Sequence, residues 1–78
     1  MNKKVFIKMR GISEVNNFVK EARAVEGDVI VSRGRYCIDG KSILGMFSID
    51  TSQGCYVEYD ENESAFDSYV NQFIEWLI

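Results

Sequence analysis

Apolar and polar positions alternate or recur along the chain in seven blocks. Over 4–9, "KVFIKM", Val5, Ile7 and Met9 share one face and Phe6 and Lys8 the other, which predicts a strand. Arg10-Gly11-Ile12 reads as a turn. Val15, Phe18, Val19 and Ala22 follow at i, i+3, i+4 and i+7, the spacing of an amphipathic helix. Ser13 is its expected N-cap, Glu14 suits the positive end of the helix dipole, and the helix is expected to end near Glu26-Gly27. Over 28–32, "DVIVS" is a second strand with Val29 and Val31 on one face. "RGR" at 33–35 is a tight turn with Gly34 at positive φ, and "YCID" at 36–39 completes a hairpin.

The second half continues the pattern. "SILGMFSI" over 42–49 predicts a short helix, and 50–54, "DTSQG", a loop. "CYVEYD" over 55–60 sets Cys55, Val57 and Tyr59 against Tyr56 and Glu58, a fourth strand. Asp60, Glu61 and Glu63 belong to a solvated connector. Ser64 with Asp67 three residues later signals a capping box. Phe66, Tyr69, Val70, Phe73 and Leu77 then recur at helical spacing, with Ile74, Trp76 and Ile78 widening the apolar face. The order is β-α-β-β-α-β-α. Its short connections favour an α+β sandwich with a mostly antiparallel sheet and the helices on one face.

Composition narrows the function classes. A chain of 78 residues is expected to form one domain, 1–78, with a thin core. At 46% hydrophobic and 27% charged it reads as globular. The net charge of −3 has no basic stripe, which argues against nucleic acid. Two cysteines, Cys37 and Cys55, make no disulfide framework, and both read as small buried hydrophobes in strands. No signal peptide or membrane-length apolar run stands out, so a reduced, cytoplasmic location without membrane contact is expected. There is no histidine. That removes the commonest general base and metal ligand, and the acidic connector lacks the spacing of a metal site. No cofactor, metal or enzymatic activity is expected.

The second helix raises a different question. Ile43, Leu44, Met46, Phe47 and Ile49 are too many apolar side chains for one buried stripe on so short a helix. Ile43 and Met46 are the expected core pair, which leaves the others surplus.

The element order, together with "DGKSILGMFSI" and "QGCYVEYD", resembles HPr, the phosphocarrier family of the bacterial sugar phosphotransferase system. Lys41, Ser42, Ile43, Gly45, Ser48 and Gly54 match that family's segment, and Leu44, Met46, Phe47 and Ile49 are apolar variants of it. The resemblance covers nearly the whole chain by element order and is specific from about Gly27 to Tyr59. It implies an open-faced β-sandwich, a four-stranded antiparallel sheet with three helices on one face. The family's carrier histidine lies in a "G-[IL]-H-A-R-P-A" segment. Here "RGISEVNNFV" stands there, with Gly11-Ile12 matching, Ser13 in place of the histidine, and Val15, Asn16 and Asn17 in place of its arginine and proline. A serine hydroxyl without a base is a poor nucleophile, and its phosphoester is a poor donor. Relay of phosphoryl groups is therefore not expected, and Ser13 reads as a cap.

The resemblance also assigns roles to what remains. In many relatives the residue matching Ser42 is phosphorylated by a dedicated kinase, and a histidine-less branch, Crh, keeps that serine for regulation. Ser42 thus has two readings, a plain N-cap and a regulatory phosphorylation site. Leu44 and Phe47, with Lys41, match positions that dock partner proteins. For Phe47 the other reading is core packing. Arg10, Arg33 and Arg35 are candidate phosphate contacts or simply solvated. The implied partners are proteins: an HPr kinase-type enzyme, a transcriptional regulator or another regulated protein. Two alternatives stand beside this regulatory reading. One is an HPr-fold interaction module outside sugar transport, and the other is a phosphocarrier using a non-histidine acceptor.

Overall fold

The computed structural model describes residues 2–74. The expected Leu77, Trp76 and Ile78 of the last helix lie outside that range. The elements are β1 (Asn2–Ile7), α1 (Ile12–Arg23), β2 (Ile30–Arg33), β3 (Tyr36–Asp39), α2 (Ile43–Phe47), a 3-10 turn (Thr51–Gln53), β4 (Cys55–Asp60) and α3 (Ser64–Asn71). The four strands form one antiparallel sheet in the order β1-β4-β2-β3. The α+β architecture and its helical face match the expectation from pattern and resemblance.

The core lies between the helices and one face of the sheet. Val15, Phe18, Val19 and Ala22 of α1 are all buried, as their spacing requires. They pack with Ile7, Val31, Cys55, Val57 and Tyr59 from the sheet, Met46 from α2, and Phe66 and Val70 from α3. Phe66 sits edge-on to both Phe18 and Tyr59, with ring centroids 5.7 and 5.1 Å apart. Each large side chain buried this fully contributes about 1.5–3 kcal/mol. The opposite face of the sheet is open. Phe6, Tyr56, Ser32 and Cys37 follow one another across it in register, and Lys4 stacks over the Tyr56 ring.

Element ends depart from the sequence reading wherever a distant partner sets them. β1 stops at Ile7 because Ile7 pairs with Cys55, the first residue of β4. Met9, expected in the strand, is buried beyond it and bonds Thr51 twice: its N–H to the Thr51 carbonyl and its carbonyl to the Thr51 hydroxyl, both 3.1 Å. β2 likewise starts at Ile30 and not at Asp28. The first helix starts earlier than expected and ends earlier. Its N-cap is Gly11, so Ser13 is not the cap but an exposed residue of the first turn. Glu14 reaches back instead and accepts from the Arg10 N–H, a backbone donor just ahead of the helix start. At the far end Ala24 closes the helix, ahead of Glu26-Gly27.

Three further expectations are corrected. The second helix is five residues long, closed by Ser48, with Ile49 beyond it and partly buried. Cys37 is exposed, because its place opposite Ser32 turns it to the open face; Cys55 is buried. Burial pushes the Cys55 thiol up to about 11 against the pull of Arg33, so it is an inert core group. Ser64 does not cap α3: Glu63 occupies that position, and no side chain caps it. Asp67, the expected box partner, is taken by β1 and β4 of the sheet. Its Oδ1 accepts from Lys3 Nζ at 2.8 Å and from the Tyr59 hydroxyl.

This contact has a pH signature. The Lys3 bond first, then the Tyr59 bond, holds the Asp67 carboxyl below its ordinary value of 3.8. A carboxyl depressed on folding adds stability that is fully present above its unfolded value and is lost as pH falls through the lowered one. Urea midpoints compared at pH 7 and pH 3 will therefore fall less on acidification for Asp67→Asn than for the parent chain. An equal fall in both would remove Asp67 from the acid response.

Candidate functional site

The β3–α2 junction is built by short polar contacts. The Lys41 N–H donates to Asp39 Oδ1 at 2.9 Å and the Ser42 N–H to the Asp39 carbonyl at 3.0 Å. Ser42 then caps α2, its Oγ accepting from the Gly45 N–H at 3.1 Å. Two cations fasten this corner to the end of α1. Lys41 Nζ donates to the Val25 carbonyl at 2.7 Å, and Arg23 Nε donates to the Lys41 carbonyl at 2.9 Å. Lys41 is thus held down and half-buried, with its ammonium engaged inside the fold.

The side chains of α2 separate by face. Met46 is fully buried and Ile43 packs partly against the core. Leu44 is 81% exposed and Phe47 48% exposed. Keeping large apolar groups in water forgoes the burial that a small chain needs, so their joint exposure on one short helix marks a surface. The Met9–Thr51 bonds carry the chain leaving α2 alongside the connection into α1. At that same end Ile12, the first residue of α1, is 69% exposed. Sequence reasoning placed Ile12 in a turn and missed it. Periodicity gave no signal of its exposure, because Ile12 stands three residues before Val15 and seven before Val19, in phase with the buried stripe.

Ser13 follows Ile12 on the first turn, exposed to solvent. The nearest carboxylate in sequence, Glu14, is occupied with the Arg10 N–H. Among the described residues no hydrogen bond joins the Ser13 hydroxyl to a group that could accept its proton. Among the described residues no group of three or more histidines, cysteines or carboxylates could hold a metal ion. No described helix is long and apolar enough to cross a membrane.

No protein-family model matches the sequence, and no curated protein matches it. Solved structures do. A phosphocarrier protein HPr from Bacillus anthracis str. Ames superposes with a TM-score of 0.70 at 17% identity, over 96% of this chain and 96% of that one. HPr-C-His from Thermoanaerobacter tengcongensis superposes with a TM-score of 0.70 at 24% identity, over 94% of this chain and 90% of that one. The chain has the HPr fold.

Proposed function

We propose that this protein is a regulatory or adaptor module of the HPr type, which recognises protein partners through Leu44 and Phe47 and does not relay phosphoryl groups. The observation that carries this reading is the division of α2, with Met46 sunk in the core and Leu44 and Phe47 left in water. The absence of histidine supports the second half of it. Ser42 is the proposed switch. A phosphate there would stand beside Lys41 and Arg23 at the head of α2. It would add nearly two negative charges within one turn of Leu44. The charge would change how the apolar surface meets a partner without rebuilding the fold. The natural modifying partner is an HPr kinase-type enzyme, and the natural reader is a transcriptional regulator or another regulated protein.

Incubation with such a kinase and ATP tests this. Intact mass is expected to show one phosphate in the parent chain and none in Ser42→Ala. An unmodified parent chain would favour the second reading, an HPr-fold interaction module outside sugar transport. The low identity to both HPr structures, 17% and 24%, is the observation that keeps that reading in view.

A further inference from the structure

Just past the end of α2, the β2–β3 turn and the chain leaving α2 border an open hollow of about 510 Å³. Arg33, Gly34, Arg35 and Tyr36 form one wall, and Ser48, Ile49 and Asp50 the other. We propose that this hollow binds a small organic anion, a phosphate or carboxylate carried on an apolar body.

Size is the first support, since small-molecule sites run to a few hundred Å³ and combine apolar walls with a few polar groups. Unused donors are the second. Arg33 spends one N–H on the Gly54 carbonyl at 2.8 Å, which anchors the side chain half-buried and leaves its other donors over. The Arg35 guanidinium and the Tyr36 hydroxyl have no hydrogen-bond partner among the described residues. Two arginines thus line one hollow in a chain whose net charge is −3. The one opposing charge is Asp50, whose Oδ1 accepts both the N–H and the hydroxyl of Ser52 and whose carboxylate also feels the Arg33 charge, so a bound anion shares Arg33 with it and relies more on Arg35. The guanidinium fork suits phosphate and carboxylate oxygens in particular.

The apolar part of the ligand has its own surfaces. Tyr36 is 68% exposed, and Ile49 on the other wall is partly buried against the core. The walls are also set in advance. Arg33 and Tyr36 are cross-strand partners flanking a tight turn, and Asp50 caps the 3-10 turn. The hollow would take its anion whether or not Leu44 and Phe47 meet a protein.

Phenyl phosphate is the probe, titrated at constant ionic strength into 15N-labelled protein and followed by amide shifts. Saturable shifts are expected at residues 33–36 and 48–50, with a millimolar dissociation constant. Phenol at the same concentrations should leave those amides in place, and inorganic phosphate should bind more weakly than phenyl phosphate. Arg35→Gln touches nothing that holds the fold and should weaken binding about tenfold, the effect of one lost charged hydrogen bond. The proposal is overturned if the shifts do not saturate, if they centre on other residues, or if Arg35→Gln binds phenyl phosphate as well as the parent chain does.

Discussion

Gly54→Ala will lose about 3 kcal/mol or more of folding stability, a large part of what a domain of this size has. Two costs coincide there. Gly54 has φ +106°, which strains any residue carrying a Cβ by about 1–3 kcal/mol. A Cβ would also lie 2.1 Å from Phe6 Cζ, and 2.7 and 2.9 Å from two more atoms of that ring. Phe6 cannot yield cheaply, because it packs edge-on against Tyr56 with centroids 5.1 Å apart. Gly34→Ala is the internal control. Gly34 also has positive φ, +59°, but no heavy atom within 4 Å of its would-be Cβ. It should lose only about 1 kcal/mol. Urea denaturation followed by circular dichroism measures both. Equal losses would show that the Phe6 contact contributes nothing.

Leu44→Asp with Phe47→Asp should separate binding from folding. The double variant is expected to stay folded, within about 1 kcal/mol of the parent, because exposed positions contribute little. Its affinity for an HPr kinase-type enzyme should fall about a hundredfold, as when apolar anchors are removed from an interface centre. Met46→Ala on the same helix should do the reverse. It empties a fully buried site and costs about 2–5 kcal/mol of stability. Calorimetric titration and urea midpoints give the two readouts. Unfolding of the double variant would return Phe47 to the core, and undiminished affinity would remove the docking role.

These contrasts show which features were legible in the residues alone. β3 and β4 were read at their true ends, and the buried stripe of α1 was read residue by residue, because a local period of two or 3.6 is enough to specify a face. What failed depended on competition across the fold. Asp67 looked like a cap partner for Ser64, but Tyr59 and Lys3 reach it from β4 and β1 of the sheet. Ser13 looked like a cap, but Gly11 turns the chain two residues earlier. Cys37 alternates as any strand residue does, and only its register against Ser32 decides that it faces water.

The candidate site divides along the same line. Surplus apolar side chains at 43–49 announced an exposed face, and the family pattern placed Leu44 and Phe47 on it. The exposure of Ile12 and the meeting of the 33–36 turn with 48–50 were not announced. Both follow from how the α2–β4 segment is laid against the rest of the chain, bonded to Met9 on one side and, through Gly54, to Arg33 on the other.

Recognition without relay is the central claim, and one reaction tests it most directly. The protein is incubated with phosphoenolpyruvate and enzyme I, and its intact mass is read before and after mild acid. With no histidine in the chain and no base hydrogen-bonded to the Ser13 hydroxyl among the described residues, the mass should stay unchanged throughout. An added phosphate that appears only with phosphoenolpyruvate and enzyme I would contradict it: one that survives mild acid and that Ser13→Ala fails to acquire would lie on that serine, and one that mild acid removes would lie on another acceptor.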